Sequence, residues 1–355
     1  MKILHISRTM GQGGAEKIVY QLCKDNTIQE QYVISTGGQY VDELQKCGVK
    51  HYTMPDIDKK NPFLMLICLF KIWGVVREEN IDVIHTHHRM AAFYARIVSI
   101  LTGKKCVYTA HNVFYNRKKL SRISFKGSKI VAVGDGVKKN LVEEFEIPEK
   151  DIVVVHNTVQ AIKSGTDNQE LAELKKQGKC LIGTIGRITK QKGMDVFLKA
   201  MSPLIAQNKN IVAVIVGDGE DRESIKQLAK ELDIMGNVVF LGYQRNVLDI
   251  IGQLEFAVLA SRWEGLPLTP IEVFSQGKTI VASDISGNNE VITDKVTGLL
   301  CKMDDVADFS HKIGSLIEDD TLKTKLEVNA KECYNEKYEY SIFIDKYNAV
   351  YESCK

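Results

Sequence analysis

Two carboxylates, Glu264 and Glu272, bracket the segment Glu-Gly-Leu-Pro-Leu-Thr-Pro-Ile-Glu, just downstream of the apolar run Phe256-Ala-Val-Leu-Ala. Pro267 and Pro270 forbid a continuous helix through the segment. Glu264 is therefore expected in a loop after a buried strand, free to meet a ligand, and Glu272 in the first turn of the next helix. Thr269-Pro270-Ile271-Glu272 also reads as a capping box with proline at the first helical position, which gives Glu272 a structural alternative. A second candidate is Gly186-Arg-Ile-Thr-Lys-Gln-Lys-Gly193. It places Arg187 and Lys192 at a strand-to-helix crossing, where ligands collect in open parallel sheets. Arginine offers a planar bidentate donor and lysine a point charge, a pairing suited to phosphate. Lys190 reads as a solvated surface residue.

In Gly11-Gln-Gly-Gly-Ala-Glu16, after the first strand, the glycines let backbone amides and the positive end of a helix approach phosphate. The run is not a dinucleotide fingerprint. Glu16 occupies the third glycine position, and the second strand ends Val33-Ile-Ser-Thr36 with no acidic residue for a ribose, which disfavours a dehydrogenase. His111 stands at a strand end in Tyr108-Thr-Ala-His-Asn112. His85-Thr-His-His88 resembles a metal cluster, but adjacent strand residues point to opposite faces or into the next loop, so structural roles are expected. Asp56-Ile-Asp58 spells a metal-binding pattern in a polar stretch before Lys59-Lys60-Asn61-Pro62, and is read as chance.

The elements that must position these residues are short β-branched runs alternating with helical patterns. In the first half they are Ile3–Ile6, Tyr32–Ile34, Asp82–His85, Cys106–Tyr108, Ile130–Val133 and Ile152–Val155. The second half repeats the plan with Leu181–Gly183, Val212–Val216, Val238–Leu241, Phe256–Leu259 and Thr279–Ala282. Such strands, separated by helices, imply parallel sheets covered on both faces. At 355 residues the chain fits two domains, and periodicity lapses between His156 and Gly178. A linker is expected near 157–175, between domains at 1–160 and 176–337.

Lys and Arg number 47 against 45 Asp and Glu, so bulk charge gives no case for nucleic acid. The eight cysteines are scattered without a Cys-x-x-Cys pair, which argues against a zinc site or disulfide scaffold and for reduced thiols. Met1–Ile6 runs straight into a strand-like segment without the features of a signal peptide, so a cytoplasmic location is expected. The apolar stretch Phe63–Val76 is shorter than the ~20 residues a membrane span needs and carries Lys71, reading as a buried or interfacial helix. In Asn116–Lys126, the cations Arg117, Lys118, Lys119, Arg122 and Lys126 interleave with Leu120, Ile123 and Phe125. This suits a short amphipathic helix on an anionic membrane surface, or one whose apolar side packs on the core.

The Glu-x7-Glu spacing resembles that of retaining nucleotide-sugar glycosyltransferases of family 4. Gly-Gly-Ala-Glu16, His111, Arg187, Lys192-Gly193, Val216-Gly-Asp-Gly-Glu220, Phe240-Leu-Gly-Tyr243 and Ser283–Glu290 recur in the family's order along nearly the whole chain. The resemblance implies the GT-B fold, two Rossmann-like domains with parallel sheets facing a central cleft. Residues 1–160 would form the acceptor domain, with a final helix at about 338–355 crossing back onto it, and 176–337 the donor domain. It assigns catalysis to Glu264, His111, Arg187 and Lys192. Donor binding falls to Gly13, Gly14, Arg187, Lys192, Leu241, Gly242, Tyr243, Gly265, Leu266, Pro267, Leu268 and Glu272, the last on the ribose. Asn288 and Asn289 depart from the small and proline residues before the family's Glu, which leaves Glu290 either in the site or capping the following helix. The implied function is retaining transfer of a sugar from a nucleoside diphosphate, UDP above all, to an acceptor hydroxyl, a lipid-linked saccharide of surface polysaccharide assembly. No metal or cofactor is expected, and an anionic inner membrane face is the expected surface. The rival readings are a UDP-sugar 2-epimerase, which needs acid/base carboxylates around the sugar, and a catalytically silent nucleotide-sugar-binding homologue.

Overall fold

The computed structural model describes residues 1–11, 13–24, 29–59, 61–161, 165 and 167–355. Gln12 of the glycine-rich turn, Lys60, and 162–164 and 166 of the expected linker lie outside the described residues. The chain divides into two compact units, one of residues 1–158 with 340–355 and the other of residues 159–339.

The first unit is built on seven strands, β1 (Lys2–Ile6), β2 (Glu30–Ser35), β3 (Lys50–Thr53), β4 (Val83–Thr86), β5 (Lys105–Ala110), β6 (Ser128–Ala132) and β7 (Ile152–Val154). All pairs are parallel, in the order β3-β2-β1-β4-β5-β6-β7. The central strands are buried on both faces, and among their apolar residues they carry the buried polar side chains of His5, His85, Thr86 and Thr109. The final helix, Tyr340–Glu352, belongs to this unit and buries Phe343, Tyr347, Val350 and Tyr351.

Helix Pro62–Glu78 starts where Asn61 Oδ1 accepts the N–H groups of Phe63 and Leu64 at 2.9 and 3.3 Å, with proline at the first helical position. It buries Cys68, Ile72, Val75 and Val76, but leaves Phe63, Leu66 and Phe70 exposed on another face. Among the described residues no helix is long and apolar enough to cross a membrane.

The second unit carries a six-stranded parallel sheet, β8 (Cys180–Ile185), β9 (Ile211–Val216), β10 (Val238–Gly242), β11 (Phe256–Leu259), β12 (Ile280–Ser283) and β13 (Leu299–Cys301). The order is β10-β9-β8-β11-β12-β13. Helix Met194–Gln207 buries Val196, Phe197, Leu198, Met201 and Ile205, and its core includes Phe256 of β11 and Phe309. All eight cysteines are free.

Candidate active site

In the second unit the carboxyl ends of β8, β9 and β11 are pressed together by glycine. β8 ends at Ile185, and Gly186 takes φ +151°. A Cβ on Gly217, after β9, would lie 1.9 Å from the Gly186 carbonyl oxygen. The Ile188 N–H then donates to the Asp218 carbonyl at 3.0 Å, fixing the loop that carries Arg187. Arg187 is exposed, and its guanidinium has no hydrogen-bond or ion-pair partner among the described residues.

Lys192 ends a 3₁₀ turn, Lys190–Lys192, and Gly193 at φ +61° leads into helix Met194–Gln207. A Cβ on Gly193 would stand 1.9 Å from the Ala260 carbonyl oxygen, so only glycine lets this turn reach the loop after β11. That approach joins Lys192 Nζ to Glu264 Oε1 at 2.5 Å. The Ser261 hydroxyl donates to the same oxygen at 2.7 Å. Arg262 holds the turn from the other side. Its N–H donates to Gln191 O at 2.8 Å, and its guanidinium bonds Asp195 at 2.9 and 3.1 Å and Asp304 at 2.8 Å. Hydrogen bonding to Asp195 raises the Arg262 pKa further. Lys190 is exposed. Ser261 and Arg262 escaped sequence reading, because neither type signals chemistry until the turn and the loop are in contact. Gly193→Ala is expected to destabilise the fold by at least about 2 kcal/mol, from left-handed strain and the carbonyl clash together. Chemical denaturation of the variant checks it, and an unchanged midpoint contradicts the close approach.

Glu264 lies in the loop after β11 as its sequence implied, but the capping box does not form. Helix Leu268–Ser275 begins two residues earlier than expected, with Pro267 as its N-cap at φ −69° and ψ 139°. Thr269 Oγ1 instead points to the Ile185 carbonyl at 3.4 Å. Glu272 is the fifth helical residue, beyond the first turn, and is buried. Pro270 is tolerated because N–H groups of the first turn lack helical partners in any case. Leu266 is buried, and a Cβ on Gly287 would come within 2.6 Å of the Gly265 carbonyl oxygen, so helix Ser286–Val291 packs on this loop. Glu290 lies inside that helix near its end rather than capping a following one, a correction to the alternative drawn from sequence. The Asn288 amide, buried, donates to the Ser283 carbonyl at 2.9 Å. Leu241 and Gly242 close β10, Gly242 at φ +67° accepts the Gly217 N–H at 2.8 Å, and Tyr243 is exposed.

In the first unit, Gly13 and Gly14 follow β1, and Gly14 opens helix Gly14–Lys24. A Cβ on Gly13 would fall 2.2 Å from the Glu16 carboxylate. Asp56 forms two hydrogen bonds with Arg8, at 3.0 and 2.9 Å, and Asp58 pairs with Arg8 at 3.2 Å.

The histidines follow the expected strand alternation, with His88 past the strand's end. His85 and His87, two apart, share one face with ring centroids 4.1 Å apart, while His88 accepts the Met90 N–H at the start of helix Arg89–Thr102. Strand register sets His5 of β1 beside His85. His5 Nδ1 meets His87 Nε2 at 2.9 Å, and His87 Nδ1 meets His111 Nε2 at 3.0 Å. His5 Nε2 meets Gln31 Oε1 at 2.7 Å. His85 bonds Tyr351 Oη and Thr109 Oγ1, each at 2.8 Å. Nitrogens of His5, His85 and His87 lie within 4.8 Å of one another, a spacing compatible with a metal, but both nitrogens of each ring already have hydrogen-bond partners. Burial lowers the pKa of all four rings, to about 4 for His5 and His111 and well below the ordinary value for His85 and His87. The row is neutral at pH 7.

Comparison with known proteins supplies the family. Residues 166–333 match the model described as Glycosyl transferases group 1, and residues 12–161 that described as Glycosyltransferase Family 4. The UDP-Gal:alpha-D-GlcNAc-diphosphoundecaprenol alpha-1,3-galactosyltransferase of Escherichia coli is 24% identical over 360 residues, 94% of this chain and 92% of its own length. The N-acetylgalactosamine-N,N'-diacetylbacillosaminyl-diphospho-undecaprenol 4-alpha-N-acetylgalactosaminyltransferase of Campylobacter jejuni is 25% identical over 342 residues, covering 91% and 92%. The crystal structure of Anabaena Alr3699/HepE in complex with UDP and glucose shares the fold at TM-score 0.88 and 17% identity, over 99% of this chain and 100% of that one. With both halves matched, the chain belongs to the family 4 glycosyltransferases, transferases of the GT-B fold.

Proposed function

We propose that this glycosyltransferase moves a sugar from UDP, with retention of anomeric configuration, to a hydroxyl of a lipid-linked saccharide in surface polysaccharide assembly. The observation that carries the reading is the Lys192–Glu264 pair at the carboxyl ends of β8 and β11, with Arg187, whose guanidinium has no partner among the described residues, in the loop that follows β8. When the bond between the anomeric carbon and the diphosphate oxygen breaks, negative charge gathers on that oxygen. Arg187 and Lys192 stabilise it as it develops. The acceptor oxygen bonds the same face of the anomeric carbon, and its proton passes to the departing phosphate oxygen, so no protein nucleophile is required. Glu264 faces the sugar, Glu272 takes the ribose hydroxyls, and Gly265 to Leu268 and Leu241 to Tyr243 supply backbone contacts to the donor. Gly13 and Gly14 offer amides to phosphate, and His111 hydrogen-bonds a sugar hydroxyl. The Anabaena complex with UDP and glucose supports the donor, and the diphosphoundecaprenol substrates in the names of the two bacterial relatives support the acceptor class.

Product analysis with labelled UDP-sugars and a lipid-linked acceptor tests the reading. Transfer that retains the anomeric configuration supports it, and free epimerised nucleotide sugar or an inverted product refutes it. Because two cations stand where a metal would otherwise neutralise the diphosphate, activity is expected to survive chelation. Full loss with EDTA and rescue by manganese would sink the metal-independent mechanism.

The same reading places the enzyme at an anionic membrane face. Helix Lys118–Phe125 buries Ser121, Ser124 and Phe125, the last stacked on Tyr108 at 4.2 Å, but leaves Leu120 and Ile123 exposed. Phe125 therefore leaves the apolar face offered to lipid. Lys118 pairs with Glu144 and Arg122 with Glu146, which reduces the free positive charge of the helix. A cavity of about 280 Å³ lies beside it, lined by His88, Arg89, Asn116, Arg117 and Leu120 among others. Arg89 and Arg117 there suit a phosphate of the acceptor, with Asp58, which pairs with Arg8, on the same wall. Sedimentation with phosphatidylglycerol vesicles is expected to show binding that weakens with salt and falls in Leu120→Ser with Ile123→Ser. No binding at any salt leaves a soluble acceptor as the better reading.

A further inference from the structure

Gln31, the row of three histidines, and the ring atom left over at its end form a directional chain. A neutral imidazole carries one N–H and one lone pair, so each hydrogen bond along the row dictates the next. In the amide orientation found here the Gln31 oxygen, which accepts only, meets His5 Nε2 at 2.7 Å, so that nitrogen carries the proton, and the buried Gln31 Nε2 has no partner among the described residues. His5 Nδ1 must then accept from His87 Nε2 at 2.9 Å, and His87 Nδ1 from His111 Nε2 at 3.0 Å. His111 is thereby left with an unprotonated Nδ1, which makes no hydrogen bond among the described residues.

We propose that Gln31 is a positioning residue that sets the tautomer of His111 through His5 and His87, leaving Nδ1 of His111 as a hydrogen-bond acceptor for a hydroxyl. This rests on the reading of His111 as a residue that meets the sugar. The sheet makes the chain possible, because Gln31, His5, His87 and His111 project from β2, β1 and the ends of β4 and β5, strands that lie side by side. Burial supports it by keeping His5 and His111 neutral, since a protonated ring would donate from both nitrogens and break the direction of the chain. Reversing the Gln31 amide would reverse every tautomer and turn His111 Nδ1 from acceptor into donor.

Histidine-selective ¹⁵N labelling of the full chain, with His111 assigned by its loss in His111→Asn, reads the protonated nitrogen directly at neutral pH. Wild type is expected to show the Nε2–H tautomer at His111, and Nδ1–H there overturns the proposal without any further variant. Gln31→Met removes the terminal acceptor, and the Nε2–H to Nδ1–H ratio at His111 is expected to fall about tenfold or more, the effect of stranding one buried donor. Gln31→Glu keeps an acceptor and should keep the wild-type tautomer. An unchanged ratio in a folded Gln31→Met protein also overturns the relay. Turnover measured alongside separates the two readings. A switched tautomer with unchanged transfer upholds the relay and removes His111 from the chemistry, whereas lost transfer with an unswitched tautomer does the reverse.

Discussion

Arg187→Ala is expected to lower turnover by roughly 10²-fold or more while leaving the melting temperature in place, whereas Lys192→Ala lowers both. The difference lies in what each side chain touches in the folded chain. Arg187 is exposed and pairs with nothing among the described residues, so its loss falls within about 0.5 kcal/mol of neutral for stability. Lys192 is bound to Glu264 at 2.5 Å, with side-chain exposures of only 18% and 8%. Its removal leaves the carboxylate oxygen with the Ser261 hydroxyl alone and costs about 2–3 kcal/mol, somewhat less than for a fully buried pair because Lys192 keeps some contact with water. Steady-state kinetics and thermal melts of both variants decide the matter. Unchanged turnover in both removes the cations from the site, and an equal drop in melting temperature makes Arg187 structural.

The second large effect is acid lability above the range where carboxylates titrate. His5 has an ordinary pKa of 6.5 and a folded value of about 4, so between those values the unfolded chain binds the extra proton. Stability therefore rises with pH across that window: the contribution is complete above 6.5 and is lost as pH falls toward 4. His5 alone accounts for about 2 kcal/mol by about pH 5, and His85, His87 and His111 act in the same direction. Carboxylates act lower. Asp56, held below its ordinary pKa by the Arg8 hydrogen bonds, loses its contribution only at still more acid pH. Urea midpoints at about pH 7.5 and about pH 5 test this, and equal midpoints would mean that the histidines carry their protons into the fold.

Eleven of the thirteen strands could be read from sequence, and the two that could not are revealing. β3 and β13 are the outer strands of their sheets. β3 is only partly covered and mixes polar with aromatic residues, while β13, Leu-Leu-Cys, is apolar but three residues long and lacks β-branched residues, so neither carries the β-branched run that marks a strand. The Lys192–Glu264 partnership was legible only as two separate motifs, because their meeting depends on a Gly193 contact with a backbone carbonyl 67 residues later. The helix start at Leu268 was misplaced because Thr269-Pro270 carries a stronger local capping signal than Pro267-Leu268, and local signals yield to loop closure. Gln31 and His5 carried no signal at all. Their roles arise from strand register, which no spacing along the chain encodes.

The last helix changes how this chain must be made. Tyr351 hydrogen-bonds His85, a residue 266 positions earlier, and Tyr347 reaches Thr109 at 3.1 Å. The first unit therefore cannot close its own interior while its first 158 residues are all that has left the ribosome. It waits for the entire second unit to be synthesised, with His85 short of one partner and the sheet uncovered where Phe343, Tyr347 and Tyr351 will later pack. A nascent chain arrested before residue 340 should consequently show a protease-resistant second unit and a protease-sensitive first one, the reverse of the order in which they are translated.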